Sequence, residues 1–278
     1  MSESRPAAER AGGSAADPPV EPLYEYLAGD APLLISFPHS GTYVPPALAQ
    51  RLRPEVRDLP DTDWFVPELY DFHRELGASV LRATHSRYLV DLNRPPDDTP
   101  LYPGQRGTTV CPIETFDAEP LYAPGQEPTR AEIGERLRHY WQPYHSRLAE
   151  LAAELAAKHG YCVLWDAHSI ASTIPQLFDG RLPDLNLGTA EGRSCSPART
   201  ARLVENLSAQ SRFSFVVNGR FKGGYITRHY GNPGARIDAV QLEIAQAAYL
   251  VEARTPRFNH ERAAPLRSLL RALVRSAL

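Results

Sequence analysis

Short apolar runs of strand length punctuate this chain, and glycine or proline stands at most of their ends. Residues 32–37 (PLLISF) are closed by Pro38, the runs 78–83 and 88–92 follow, and residues 161–165 (YCVLW) open directly after Gly160. Runs this short and uniformly apolar predict strands buried on both faces, as in a parallel sheet covered by helices. Helical periods lie between them. Residues 63–76 carry apolar positions at helical intervals and stop before Gly77. Thr129 caps a second predicted helix, with Glu132 completing a capping box, and this helix reads on to Lys158 with a kink or break at Pro143. Further on come a helix over 197–210, a strand over 213–217, a glycine-rich turn segment over 219–234, an apolar stretch over 239–250 and a last helix over 262–277. Residues 101–128 and 169–196 show no period, and irregular excursions of that length are uncommon unless they serve a function. Strands alternating with helices predict an α/β layered fold with a mostly parallel sheet, where functional side chains gather beyond the strand C-termini.

Composition narrows the classes. A chain of 278 residues can hold one large core, so residues 23–278 are expected to form a single catalytic domain behind a flexible tail, 1–22, rich in Ala, Gly, Pro and acidic residues. A formal charge of −3 with scattered arginines offers no cationic face for nucleic acid. No apolar stretch approaches the ~20 residues that cross a bilayer, and the N-terminus lacks the charged-then-apolar order of a signal peptide, so a cytoplasmic, membrane-free protein is expected. Cys111, Cys162 and Cys195 are not spaced as a thiolate metal clip or redox motif and read as free thiols, Cys162 in the core.

The candidate chemistry lies where apolar runs end. His39, the Asp166-Ala167-His168 group and Glu243 each fall at or near such an end, positions that converge in an open α/β sheet. A catalytic zinc takes three protein ligands, commonly imidazoles and a carboxylate, and keeps a fourth position for water. His39, Asp63 and His168 supply that set, with Asp61 competing for the carboxylate role and one of the two expected to cap a helix. An isolated histidine is more often structural, but Pro38-His39-Ser40-Gly41 sets an imidazole at a tight turn after a buried strand, and Asp166 can orient His168. Glu243 stands alone among apolar neighbours, which is costly unless the carboxylate is paired, neutralised or used as a base. The run from Arg87 to Arg94 ends in Asn93 and Arg94, an amide and a forked guanidinium suited to a carboxylate, although surface arginines are common. Residues 219–231 add cations on a glycine-rich backbone that is not a phosphate-binding loop.

In order along the chain, the segments ISFPHSGTYVP, DTDWFVPELYDF, THSRYLVDLNRPPDDTPLY, LWDAHSI, LPDLNLGT, GGYITRHYG and VQLEIAQAAY resemble the N-formylglutamate amidohydrolase (deformylase) family. The resemblance spans Leu33 to Ile244. It implies a three-layer α/β/α fold with a mixed, mostly parallel sheet, similar to zinc-dependent exopeptidases of the phosphorylase/hydrolase-like kind. It also implies hydrolysis of N-formyl-L-glutamate to formate and glutamate in histidine breakdown, with one divalent ion, zinc first among them, held by His39, Asp63 and His168. Glu243 then resembles the catalytic carboxylate, and Asn93-Arg94 resembles the carboxylate anchor of related carboxypeptidases; in the mechanism expected from these groups, Arg87 helps the metal stabilise the oxyanion. Arg228 and Lys222 are candidates for the second carboxylate of this small anionic N-acyl amino acid. Those peptidases carry a glutamate three residues after the first ligand histidine where this chain has Thr42, so Asp63 must replace it. The rival expectations are a zinc amidohydrolase or carboxypeptidase-like enzyme for another N-acyl amino acid, and a non-catalytic ligand-binding relative.

Overall fold

The computed structural model describes residues 21–102, 104 and 106–278, so the expected tail lies outside the described residues except for Glu21 and Pro22. Seven strands form the main sheet: β1 Tyr24–Leu27, β2 Leu33–Phe37, β3 Ser79–Ala83, β4 Cys162–Ile170, β5 Leu185–Gly188, β6 Phe215–Val217 and β7 Ile237–Ala245. A separate hairpin pairs β8 Leu250–Val251 with β9 Arg257–Phe258. The main order is β1-β3-β2-β4-β7-β5-β6. Its centre, β3-β2-β4-β7, is parallel; β1 joins one edge antiparallel, and β5 runs antiparallel to β7 with β6 parallel beyond it.

The helices are α1 Pro46–Ala49, α2 Val66–Leu69, α3 Arg130–Arg136, α4 Gln142–His159, α5 Pro197–Ser208, α6 Tyr225–Tyr230 and α7 His260–Ser276. Strand alternation divides the core. Ile35, Trp165, Val240 and Leu242 face a layer built from α2, α5 and α7. Leu34, Leu81, Cys162, Leu164 and Ala239 face Tyr144, Leu148, Leu151 and Leu155 of α4 and Ile226 of α6. Two helical layers therefore cover a mixed, mostly parallel sheet, and both strand faces are apolar for that reason.

Several elements depart from expectation. Residues 63–76 hold only α2 and a 3-10 turn, Asp71–Arg74, because Leu69, Tyr70 and Phe72 all enter the core, too many close neighbours for one helix face. Residues 88–92 are not a strand. Tyr88, Leu89, Val90 and Leu92 are buried, but the backbone bonds form no ladder: Leu89 N–H closes a turn on Ser86, and Asp91 N–H reaches the distant Val110 carbonyl. At Pro143 the helix neither breaks nor stops. A π-turn over Leu137–Trp141 joins α3 to α4, a wider turn that absorbs the donor and space proline removes. Thr129 accepts from Glu132 N–H, but the Glu132 carboxylate turns to Arg51 and Arg136, so the capping box is half made. Gly160, at φ +82°, ends α4 as expected. The irregular 169–196 segment contains β5, the glycine-rich turn segment contains α6, and β1 was not foreseen. All three cysteines are buried and free. Among the described residues no helix is long and apolar enough to cross a membrane.

Candidate active site

The site forms where β2, β4 and β7 end side by side. β4 does not stop at Trp165; its ladder with β7 runs to Ile170, so Asp166 and His168 belong to the strand and not to the loop after it. His168 pairs in register with Glu243, and in a parallel pair both side chains leave on the same face, here the α4 side. His39 sits two residues beyond β2, and Asp63 N–H bonds the His39 carbonyl, which brings the 61–63 loop under the imidazole.

One ligand atom from each of His39, Asp63 and His168 lies within 4.8 Å of the others, and all three residues are buried. His168 Nδ1 is 2.9 Å and His39 Nδ1 3.9 Å from Asp63 Oδ2, so both rings turn the same nitrogen toward that carboxylate. The remote nitrogens are held by two further acids: His39 Nε2 lies 2.8 Å from Asp91, and His168 Nε2 lies 3.0 Å from Asp166. Imidazoles oriented through the far nitrogen by carboxylates are the arrangement metal-ligating histidines show. Asp63, Asp91, Asp166 and Glu243 are all buried here with Arg87 between them, an excess of negative charge that suits a divalent cation.

The local fields differ around the site. Burial and the Arg87 charge hold the His39 imidazole below its usual pKa, against Asp91 and Asp63. Burial would also depress His168, but Asp166 and Asp63 outweigh it and raise the ring well above the usual value. Burial, reinforced by Asp63, pushes the Glu243 carboxyl up to about 7 despite the pull of His168. Burial would raise Asp91 as well, yet Arg87 and His39 hold it well below the carboxylate range.

A narrow cleft of about 70 Å³ opens over these groups, its walls including His39, Arg87, Arg94, Arg106, Arg220, Gln241 and Glu243. Beyond Phe116 lies a larger groove of about 430 Å³, but Glu55, Asp58, Asp61, Asp117, Glu119 and Glu252 line it, so its charge repels an anion where the cleft attracts one.

A sequence profile for N-formylglutamate amidohydrolase matches residues 31–250. The chain belongs to that family. It is 50% identical over 259 residues to N-formylglutamate deformylase of Pseudomonas aeruginosa, covering 93% of this chain and 97% of that protein. The deformylase of Pseudomonas putida is 46% identical with the same coverage. Among solved structures, N-formylglutamate amidohydrolase from Ralstonia eutropha JMP134 superposes with a TM-score of 0.76 at 27% identity, covering 91% of this chain and 96% of that one.

Within this family member, the residues singled out from the sequence divide by position. His39, Asp63, His168 and Glu243 come together. Asp61 turns away to accept Phe116 N–H, and neither aspartate side chain caps a helix. Arg87 reaches the cleft while bonded to Asp91 at 2.6 Å and lying over the Phe116 ring. Arg94 lines the cleft, but the Asn93 amide is committed elsewhere: Nδ2 donates to Asp166 and lies 2.9 Å from His168, and Oδ1 accepts Ile226 N–H. Gly224 approaches this amide so closely that a Cβ there would lie 2.4 Å from it. Asn93 is thus a pin inside the site and not a free ligand for substrate. Lys222 and Arg228 are not among the described residues lining the cleft, because Lys222 pairs with Glu191 and Arg228 donates to the Gly223 carbonyl beside the Tyr102 ring. Sequence reasoning missed Asp91, Gln241 and Arg220. Asp91 carried the signal that singled out Glu243, a lone acid in an apolar run. Gln241, which donates to Glu243 Oε2 and accepts Gly224 N–H, needed only the period of two.

Proposed function

We propose that the protein hydrolyses N-formyl-L-glutamate to formate and L-glutamate with one divalent ion, zinc by its donor set, and that it serves histidine breakdown. The observation that carries this reading is the buried His39–Asp63–His168 group, which reaches through His39, beside Glu243, a cleft walled by arginines. The imidazole and carboxylate donors, oriented from behind by Asp91 and Asp166, fit such an ion. Bound there, it supplies Lewis acidity, which acidifies water and polarises the formyl oxygen.

The chain's own groups do the rest. Glu243, with a carboxyl pushed up to about 7, is matched to take a proton from the attacking water and hand it to the departing nitrogen. Gln241 holds that carboxylate through Oε2. Arg87, fixed by Asp91, places positive charge where the oxyanion develops. Arg94 grips one substrate carboxylate, its guanidinium aimed by the carbonyls of Thr108 and Asn93.

The test is formate release from N-formyl-L-glutamate beside N-acetyl- and N-succinyl-L-glutamate, with and without chelator. Turnover is expected for the formyl compound and is lost on chelation. Glu243→Gln should lower kcat by roughly 10²–10⁴-fold with metal content unchanged. Wild-type turnover by that variant, or no formate at all, would sink the reading.

A further inference from the structure

Two guanidiniums on the cleft wall, Arg94 and Arg220, have no acidic partner among the described residues. Their neighbours do: Arg87 pairs with Asp91 and Arg106 with Glu114, each at 2.6 Å. Arg220 is nevertheless built into place. Its Nε donates to the Leu177 carbonyl at 2.9 Å and one terminal nitrogen to the Arg106 carbonyl at 3.2 Å. The rings of Tyr102 and Phe221 lie 5.6 and 5.3 Å from its guanidinium carbon. Tyr102 is itself anchored, donating to the Gly223 carbonyl and accepting Lys222 N–H. Each of these hydrogen-bond and ring contacts is neutral, and no acid pairs directly with Arg220 among the described residues. Burial, with the nearby Arg94 charge, draws the Arg220 guanidinium below its ordinary pKa against the opposing pull of Tyr102 and Glu243, so the site holds this cation at a cost. A half-buried, pre-aimed cation beside a second one is stabilised by an anion that carries two charges.

We propose that Arg220 is the specificity residue for the carboxylate at the side-chain end of the substrate, while Arg94 takes the carboxylate nearest the scissile amide. The assignment rests on the reading of the cleft as an N-formylglutamate site. Arg94 is tied through Asn93 to His168, so it stands next to the reacting groups. Arg220 is carried by a different wall, with Leu177 and Phe221. Two fixed cations on different walls measure the span of a dicarboxylate, and a monocarboxylate leaves one of them unpaired.

The experiment compares N-formyl-L-glutamate with N-formyl-L-glutamine, of the same shape but without the terminal charge, in wild type and in Arg220→Gln, Arg220→Ala and Arg94→Ala. Arg220→Gln keeps an N–H donor at the Nε position for the Leu177 carbonyl and removes the charge together with the terminal nitrogens. Its kcat/KM on formylglutamate should fall by about 100-fold while formylglutamine changes only a few-fold, collapsing the preference. Arg94→Ala should impair both substrates. Equal losses on both substrates in Arg220→Gln overturn the proposal, since they mark a structural or general role. If wild type releases formate from neither compound, the functional reading fails by itself, and calorimetric titration of glutarate against butyrate decides on Arg220. Weaker glutarate binding by Arg220→Gln with butyrate unchanged upholds the carboxylate assignment, and identical glutarate affinity overturns it.

Discussion

At the scale of single residues, what distinguishes this site is the ring of carboxylates behind the imidazoles. Asp91 is fully buried and serves three groups at once: His39 Nε2, the Arg87 guanidinium and Asn93 N–H. It fixes the His39 tautomer so that Nδ1 points to the centre, and it also holds Arg87 in the cleft. Asp91→Asn should weaken divalent-metal affinity by about 10–100-fold, a loss that excess zinc partly restores in the activity assay. Arg87, left with only the longer Asp63 contact at 3.8 Å, should raise KM or lower kcat further even at saturating metal. The check is competition with a chromophoric chelator, followed by kinetics in a zinc series; unchanged metal affinity in the variant would remove Asp91 from the site's design.

At the scale of elements, α4 presents His145 to the segment that leads into the site. Nε2 lies 2.9 Å from the Leu92 carbonyl and Nδ1 3.0 Å from the Tyr230 hydroxyl, with the Trp141 ring stacked 3.8 Å away. Burial drives its pKa down to about 3. The unfolded chain takes up a proton near pH 6.5 and the folded chain does not, so this residue's contribution is full above that pH and is lost as pH falls toward 3. By pH 5 the loss is about 2 kcal/mol. His145→Phe keeps the aromatic stack without titrating. It should be less stable than wild type at pH 7.5 yet lose about 2 kcal/mol less between pH 7.5 and 5 in urea denaturation. Parallel pH profiles would show that the ring is protonated in the folded state. The same elements show what an apolar pattern can and cannot reveal. The apolar positions of β2 and β3 were legible because both faces are covered; β4 looked too short because its second half carries the polar residues Asp166 and His168 of the candidate site. Residues 88–92 looked like a strand because burial alone made them apolar, with no ladder to join.

At the scale of the whole molecule, the convergence of the candidate ligands was legible and the cationic wall was not, for one reason. Residues at the ends of parallel strands must meet, so His39, His168 and Glu243 converge once the sheet is inferred. Whether Arg220, Lys222 or Arg228 faces the cleft depends on the course of a glycine-rich segment that no period encodes. That convergence has an energetic consequence. Strands β4 and β7 and the 61–63 and 87–94 loops bring four buried acids together, and their mutual repulsion opposes the assembly of this edge of the fold. A cation bound only by the folded chain stabilises it by about 4 kcal/mol at 1,000 times its Kd. For a chain of this size that is a rise of roughly 10 °C in Tm. Stripping metal should therefore lower the transition by that order, and titrating zinc back should restore it. His39→Ala separates this linkage from a general effect of the chelator, since a protein without the first imidazole has little ion to lose. A chelator that moved the variant as far as wild type, or moved neither, would mean that Arg87 and protonated His168 balance the acids unaided, and that the edge of the sheet closes without an ion.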